Sequence, residues 1–276
     1  MDRIKVMVNG LPGNMAVKAA EHIVQADDMK LVPHALTGPE ITAKDVQIAS
    51  ETVRLIRPES RQQMIESIKK TEGNFVCVDY THPNAVNDNA SFYCENGLPF
   101  VMGTTGGDRK LLVDTVRGSE NCAVIAPNMA KQIVAFQAMM EYAANNFPGV
   151  FKGYSLEIKE SHQRGKADTS GTAKAMIGYF NRLGIPFAKE EIIMERDPEA
   201  QRTKWGIPEA YLTGHGWHTY TLRSEDGTVF FQFTHNVNGR DIYAKGTLDA
   251  IRYLAKKIDQ GAKGEVFTMI DVLKGV

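Results

Sequence analysis

The sequence is poor in cysteine, has no long apolar run and carries almost no net charge. Its three cysteines, Cys77, Cys94 and Cys122, form no Cys-x-x-Cys pair. So few, and an odd number, exclude a disulfide framework and argue against a structural zinc site. Cys77 and Cys122 lie in short apolar runs and read as buried thiols. No stretch of about 18 apolar residues appears, so no membrane span is expected. A formal net charge of −1 offers no general attraction for nucleic acid or an anionic membrane. Any anion site must therefore be local. The opening MDRIKVMVNG enters strand-like sequence at once, so neither a signal peptide nor a transit segment is expected in this chain.

What is present is an ordinary globular composition in 276 residues, enough for one large domain or two modest ones. The first half alternates short, nearly continuous apolar runs (IKVMVNG, KLVPHAL, FVCVDY, LPFVMG, CAVIA) with helical stretches. Runs of this kind suit strands covered on both faces, and the alternation predicts a doubly wound parallel sheet. From about residue 131 the texture changes. KQIVAFQAMMEYAANNF reads as a helix stopped by Pro148-Gly149. In GYSLEIKE, Tyr154, Leu156 and Ile158 alternate with polar residues, as in a half-exposed strand. TAKAMIGYFNRLG is a helix with Gly184 at its cap, and residues 186–210 are polar and proline-containing. WHTYTLRSEDGTVFFQFTHNV reads as a hairpin turning at Asp226-Gly227. This half is α+β, with an open mixed or antiparallel sheet. The tail KGTLDAIRYLAKKI returns to an amphipathic helix.

GLPGNMA places Gly10, Gly13 and Ala16 at the first strand-to-helix junction. The glycines allow a tight turn and close approach of a pyrophosphate to the helix N-terminus. A plain turn would also use them, but the position in a βαβ series favours a Rossmann-like nucleotide loop, with Pro12, Asn14 and Met15 beside it. The second strand ends at Thr37-Gly38. No carboxylate stands there to repel a 2′-phosphate and no arginine to clamp one, so NADPH is favoured, with NADH the alternative. Tyr80-Thr81 and Gly103-Thr104-Thr105 stand at later strand ends, where open α/β sheets bind ligands. Pro127, Asn128 and Met129 mark the exit toward the second half.

ESHQRGKADTSGTAKAM (160–176) concentrates chemistry. It can be a capped helix with a charged loop, Asp168, Thr169 and Ser170 all being competent caps. It can equally be a carboxylate receptor. Ser170, Gly171 and Thr172 offer helix-end N–H groups and hydroxyls, and Lys166 a point charge. His162 is a proton donor expected to titrate near neutrality.

Together with GLPGNM, DYTHP and GTTG, this segment resembles the dihydrodipicolinate reductase family over the whole chain, in its plant-type branch. The resemblance implies a dinucleotide-binding domain of residues 1–130 with 241–276. A substrate-binding and oligomerisation domain would span 131–240. It implies NAD(P)H-dependent reduction of 4-hydroxy-tetrahydrodipicolinate, or the dihydrodipicolinate formed from it, in lysine (diaminopimelate) synthesis. His162 would be the acid and Lys166 would hold a carboxylate. Gln163, Ser170, Gly171, Thr172 and Arg240 would contact substrate, and the domains would close about hinges near 130 and 240. Gln163 stands where the family usually has a second histidine, and Asn14 where it usually has an arginine. A small dicarboxylate is the implied partner, in a homo-oligomer, dimer or tetramer. The compartment would be the plastid stroma for a plant source and the cytoplasm otherwise. The alternatives are a reductase of another cyclic imine or semialdehyde, and a nucleotide-sensing protein without turnover. The His162/Lys166 pair speaks against the last. His215, His218 and His235 lack a cysteine or carboxylate set, so no metal is expected.

Overall fold

The apolar run Ile4–Asn9 forms β1, fully buried from Val6 onward, as a strand covered on both faces requires. The computed structural model describes residues 3–166 and 169–275, so Asp168, one of the expected caps, lies outside the described residues. The chain divides into two units, Met1–Lys131 with Asp241–Val276, and Gln132–Arg240.

After β1 come α1 (Asn14–Gln25), β2 (Met29–Leu31), β3 (His34–Leu36), β4 (Asp45–Ile48), β5 (Glu51–Ile56) and α2 (Arg61–Glu72). Next are β6 (Val76–Asp79), α3 (Val86–Glu95), β7 (Phe100–Met102), α4 (Arg109–Arg117), β8 (Ala123–Ile125) and α5 (Lys131–Asn146). The second unit continues with β9 (Ser155–His162), α6 (Gly171–Arg182), β10 (Ile193–Glu195), α7 (Pro198–Thr203), β11 (His215–Arg223) and β12 (Phe230–Asn238). The chain then re-enters the first unit with α8 (Asp241–Asp259), β13 (Val266–Phe267) and α9 (Met269–Gly275). Among the described residues no helix is long and apolar enough to cross a membrane.

The main sheet of the first unit is parallel, in the order β13-β8-β7-β6-β1-β2. The chain leaves β1 toward β2 and returns to β6 on the other side. That reversal opens the crevice between the carboxyl ends of β1 and β6 where such sheets take ligands. KLVPHAL, expected as one strand, is two. Pro33 has no N–H for a ladder, and the run splits into β2 and β3, which join different sheets. The β4–β5 hairpin was not anticipated from the sequence. It turns at Ala49, a non-glycine residue with φ of 50°.

The sheet of the second unit runs β10-β9-β11-β12, with β10 parallel to β9 and the other pairs antiparallel. Ile158, Tyr220 and Leu222 pack with Met176, Ile177 and Phe180 of α6 in a single core. β10 and α7 both fall within 186–210, read above only as polar and proline-containing. The register sets Gly216 opposite His162 and His218 opposite Glu160. Two chemically loaded residues of β9 are thereby placed against two positions of β11.

Candidate active site

In the first unit, the turn after β1 is shaped by what its glycines leave out. Gly10 has φ of 96°, and a Cβ there would lie 2.2 Å from the Tyr80 carbonyl oxygen. A Cβ on Gly13 would lie 2.8 Å from the Gly10 carbonyl oxygen. Ala16 is fully buried, so α1 packs closely on its strand. A cavity of about 1070 Å³ opens here, lined by Gly10, Pro12, Gly13, Thr37, Tyr80 and Thr81. A smaller one of about 310 Å³ is lined by Met15, Gly103, Thr105 and the Pro127–Asn128–Met129 segment, with Tyr80 and Thr81 again on its wall. Asn14 is exposed and lines neither cavity. Thr37 is buried, and its hydroxyl donates to the Leu11 carbonyl at 2.7 Å, so it fastens the loop.

The large cavity holds a cation that the sequence reading missed. Arg61, at the start of α2, lines it together with Thr37 and Gly38. Its guanidinium lies 4.5 Å from the Phe92 ring centroid. The expected absence of an arginine beside the strand end is thereby corrected: the arginine arrives from a helix well beyond it. Glu40 also lines the cavity, its carboxylate close over Gly38.

Beneath the strand ends lies a buried polar chain. One oxygen of the Asp79 carboxylate accepts from the hydroxyls of Thr81 (2.8 Å) and Thr104 (2.6 Å). The other accepts from Asn89 (3.0 Å) and the Tyr93 hydroxyl (2.8 Å). Asn9 donates to the Tyr93 oxygen at 3.0 Å and accepts from the Leu36 N–H at 2.9 Å. Asn9 and Asp79 are the polar last residues of strands that are apolar just before them, over residues 6–8 and 76–78, a signal the sequence did carry. Tyr80 is fixed from the other side. Its hydroxyl lies 2.5 Å from that of Thr247 on α8, and its ring fills the space a Cβ on Gly103 would need, 2.2 Å away. Glycine at 103 is therefore required by the tyrosine as well as by any flat ring bound there.

In the second unit, Glu160 is the hub and is fully buried. One carboxylate oxygen accepts from Arg196 Nη2 at 2.5 Å. The other accepts from the Ser170 N–H at 3.1 Å and faces His218 Nε2 at 3.6 Å and His162 Nε2 at 4.0 Å. Burial alone would raise this carboxyl, but the bonds from His218, Arg196 and Ser170 outweigh it and hold it at about 2. The Ser170 hydroxyl caps the Ala173 N–H at 3.0 Å and lies 2.7 Å from His218 Nε2. Ser170 thus has its N–H and hydroxyl engaged, unlike the free donor expected. The N–H groups of Gly171 and Thr172 have no acceptor within the helix, and the space above Gly171 is open.

His162 donates from Nδ1 to the His215 carbonyl at 3.1 Å, and its ring packs against Gly216. Nε2 is buried without a hydrogen-bond partner among the described residues. Burial foremost, then the neighbouring His218, lowers the imidazole to about 3. The expectation of a group titrating near neutrality is corrected: before an anion arrives, His162 is neutral. Lys166 belongs to a turn in which its N–H donates to the Gln163 carbonyl at 3.0 Å. Arg240 packs beside Gly214, one residue before His215. Gln201, buried on α7, donates to the His162 carbonyl at 2.7 Å and was not foreseen. The imidazole nitrogens of His162 and His218 and the Glu160 carboxylate approach within 4.8 Å of one another, a set that could take a metal ion. Of the three histidines considered together above only His218 belongs to this set, and Arg196 already brings a cation to the same carboxylate.

A parallel sheet with a glycine-shaped first turn, and a second unit in which a histidine and a helix N-terminus face one buried carboxylate, have the layout of an NAD(P)H-dependent oxidoreductase. Residues 4–129 match the family model for the N-terminus of dihydrodipicolinate reductase and residues 132–273 that for its C-terminus. The chain belongs to the dihydrodipicolinate reductase family. It is 48% identical to the probable 4-hydroxy-tetrahydrodipicolinate reductase 1, chloroplastic, of Oryza sativa subsp. japonica, over 98% of this chain and 78% of that protein. It is 46% identical to the chloroplastic 4-hydroxy-tetrahydrodipicolinate reductase 2 of Arabidopsis thaliana, over 98% and 77%. Among solved structures, a dipicolinate-bound dihydrodipicolinate reductase from Paenisporosarcina sp. TG-14 shares the fold. Its TM-score is 0.67 at 20% identity, over 96% of this chain and 97% of that one.

Proposed function

We propose that the chain reduces 4-hydroxy-tetrahydrodipicolinate, or the dihydrodipicolinate left after loss of water, to tetrahydrodipicolinate in the diaminopimelate route to lysine. The observation that carries this reading is a histidine, His162, whose Nε2 faces at 4.0 Å the buried Glu160 carboxylate that also holds the Ser170 N–H at the start of α6. It stands in a chain whose plant relatives bearing that name match it nearly end to end. When bound, the dihydronicotinamide supplies a hydride to a ring carbon of the conjugated imine; one proton then completes the product. Gly10 and Gly13 permit the tight turn after β1 and Gly103 admits the Tyr80 ring, and these shape the walls of the cavities in which the cofactor would lie. Gly171 and Thr172 offer N–H groups to a substrate carboxylate, with Ser170 fixing the turn and Lys166 adding charge. Arg240 serves the second carboxylate, and Gln163 contributes a neutral amide. Nε2 of His162 carries the proton. The approach of a dianion supplies the negative charge that raises the buried imidazole toward neutrality.

NADPH is the favoured cofactor and NADH the lesser one. Arg61 supports this preference, since it offers a guanidinium to the same cavity that Thr37 and Gly38 line. Glu40 there suits ribose hydroxyls instead. We further propose a homo-oligomer assembled through the second unit's sheet, where Ile193 and Met194 are about half exposed, and a location in the plastid stroma. Oxidation of NADPH with substrate freshly made by the preceding synthase reaction tests the activity. Turnover of other cyclic imines or semialdehydes, with none of this substrate, would overturn it.

A further inference from the structure

Glu160 poses a problem for a site that must accept a dicarboxylate. A fully buried carboxylate that is ionised, beside the helix end expected to bind substrate, would repel every anion brought there. Arg196, from the segment between β10 and α7, answers it in two ways. Its Nη2 meets Glu160 at 2.5 Å, and its Nε donates to the Lys166 carbonyl at 2.8 Å. One planar guanidinium thus joins the carboxylate to the backbone of the lysine that carries the site's mobile charge. Glu160 in turn holds the Ser170 N–H, so the segment that ends in Ser170-Gly171-Thr172 is anchored within the turn at Lys166 and again at Ser170. A lysine at 196 could not make both bonds with the same geometry.

We propose that Arg196 is a positioning residue that makes this site receptive to a dianion, by cancelling the Glu160 charge and fixing the turn at Lys166. Substrate chemistry then falls to Lys166, Arg240 and the helix-end N–H groups. The inference rests on the dicarboxylate reading only for the identity of the anion. It also accounts for a buried carboxylate in an anion site, because Glu160 orders Ser170 and His218 without contributing net charge.

The test is a charge cycle in the full chain: Arg196→Met, Glu160→Gln and the double variant. Thermal melting is used to confirm that each is folded. Arg196→Met should raise KM for the cyclic imine, and Kd for pyridine-2,6-dicarboxylate, by roughly tenfold or more. KM for NADPH should stay within roughly twofold. The double variant should regain most of the lost affinity, because the harm is the uncompensated carboxylate and Glu160→Gln removes it. Proton NMR titration of His162, assigned with His162→Gln, supplies a readout independent of substrate. Its imidazole should titrate at higher pH in Arg196→Met and return in the double variant. An Arg196→Met enzyme with unchanged dicarboxylate affinity, an equal loss toward NADPH, or a double variant no better than the single would overturn the proposal. A wild-type chain inert toward the cyclic imine, with the His162 titration shift and its reversal intact, would instead overturn the substrate reading alone.

Discussion

The hydroxyl of Thr104 donates to the buried carboxylate of Asp79 at 2.6 Å, tying the loop after β7 to the end of β6. The same carboxylate holds Thr81 and Tyr93, so the two loops lining the cavities of the first unit share one anchor. Tyr93→Phe should leave one Asp79 oxygen with Asn89 alone and deprive the Asn9 amide of its acceptor. The expected cost is about 1–3 kcal/mol of stability. KM for NADPH should rise while KM for the dicarboxylate stays near its wild-type value. Chemical denaturation and steady-state kinetics measure the two effects, and a change confined to the dicarboxylate would contradict the anchoring role.

His162 is held at about 3 by burial and by His218, so the proposed role as proton donor requires it to gain a proton as substrate binds. Calorimetric titration with pyridine-2,6-dicarboxylate in two buffers of different ionisation enthalpy should show uptake of about one proton near neutral pH. His162→Gln should abolish that uptake and lower kcat. In the wild type, kcat/KM should fall as pH rises, because fewer sites then bind substrate with its proton.

The Rossmann-like sheet, the strand through Ile158 and the long hairpin were legible because each carries its own pattern in the sequence. The β4–β5 hairpin was not, since its turn uses Ala49 where a glycine or asparagine would signal φ above zero. The loop chemistry of residues 160–172 was visible, but its control was not. Arg196 lies 36 residues from Glu160 in the chain, and His218 reaches it only through strand pairing. No local pattern records such a meeting. The Asp79 anchor is intermediate: a polar residue ending an apolar strand can be noticed, whereas its partners on α3 and after β7 depend on the packed sheet.

Arg61 lines the same cavity as Thr37 and Gly38. Arg61→Ala should raise KM for NADPH by roughly tenfold, the scale of losing one charge-assisted phosphate contact. KM for NADH should barely move. Glu40→Gln should do the reverse, weakening NADH more than NADPH, since its carboxylate suits ribose hydroxyls. Equal effects of Arg61→Ala on both cofactors would assign it to the Phe92 stack alone.

Stability should begin to decline on acidification above the range in which carboxylates are mostly protonated. Burial foremost lowers His162 to about 3 and His235 to about 4, against 6.5 for an ordinary histidine. Between those values the unfolded chain binds the extra protons, so stability rises with pH across that window. It is therefore complete above about 6.5 and is lost as pH falls toward 4, with at most about 1.4 kcal/mol per pH unit for each group. Glu160, held at about 2, moves its own loss below 4.5 and does not offset the histidines. Urea unfolding of the full chain near pH 7 and near pH 5 should give a lower midpoint at the acid value. His235→Gln should narrow the gap between the two midpoints even where it lowers both, because it removes one of the groups that must stay neutral to fold. A gap as wide in His235→Gln as in the wild type would remove His235 from the account.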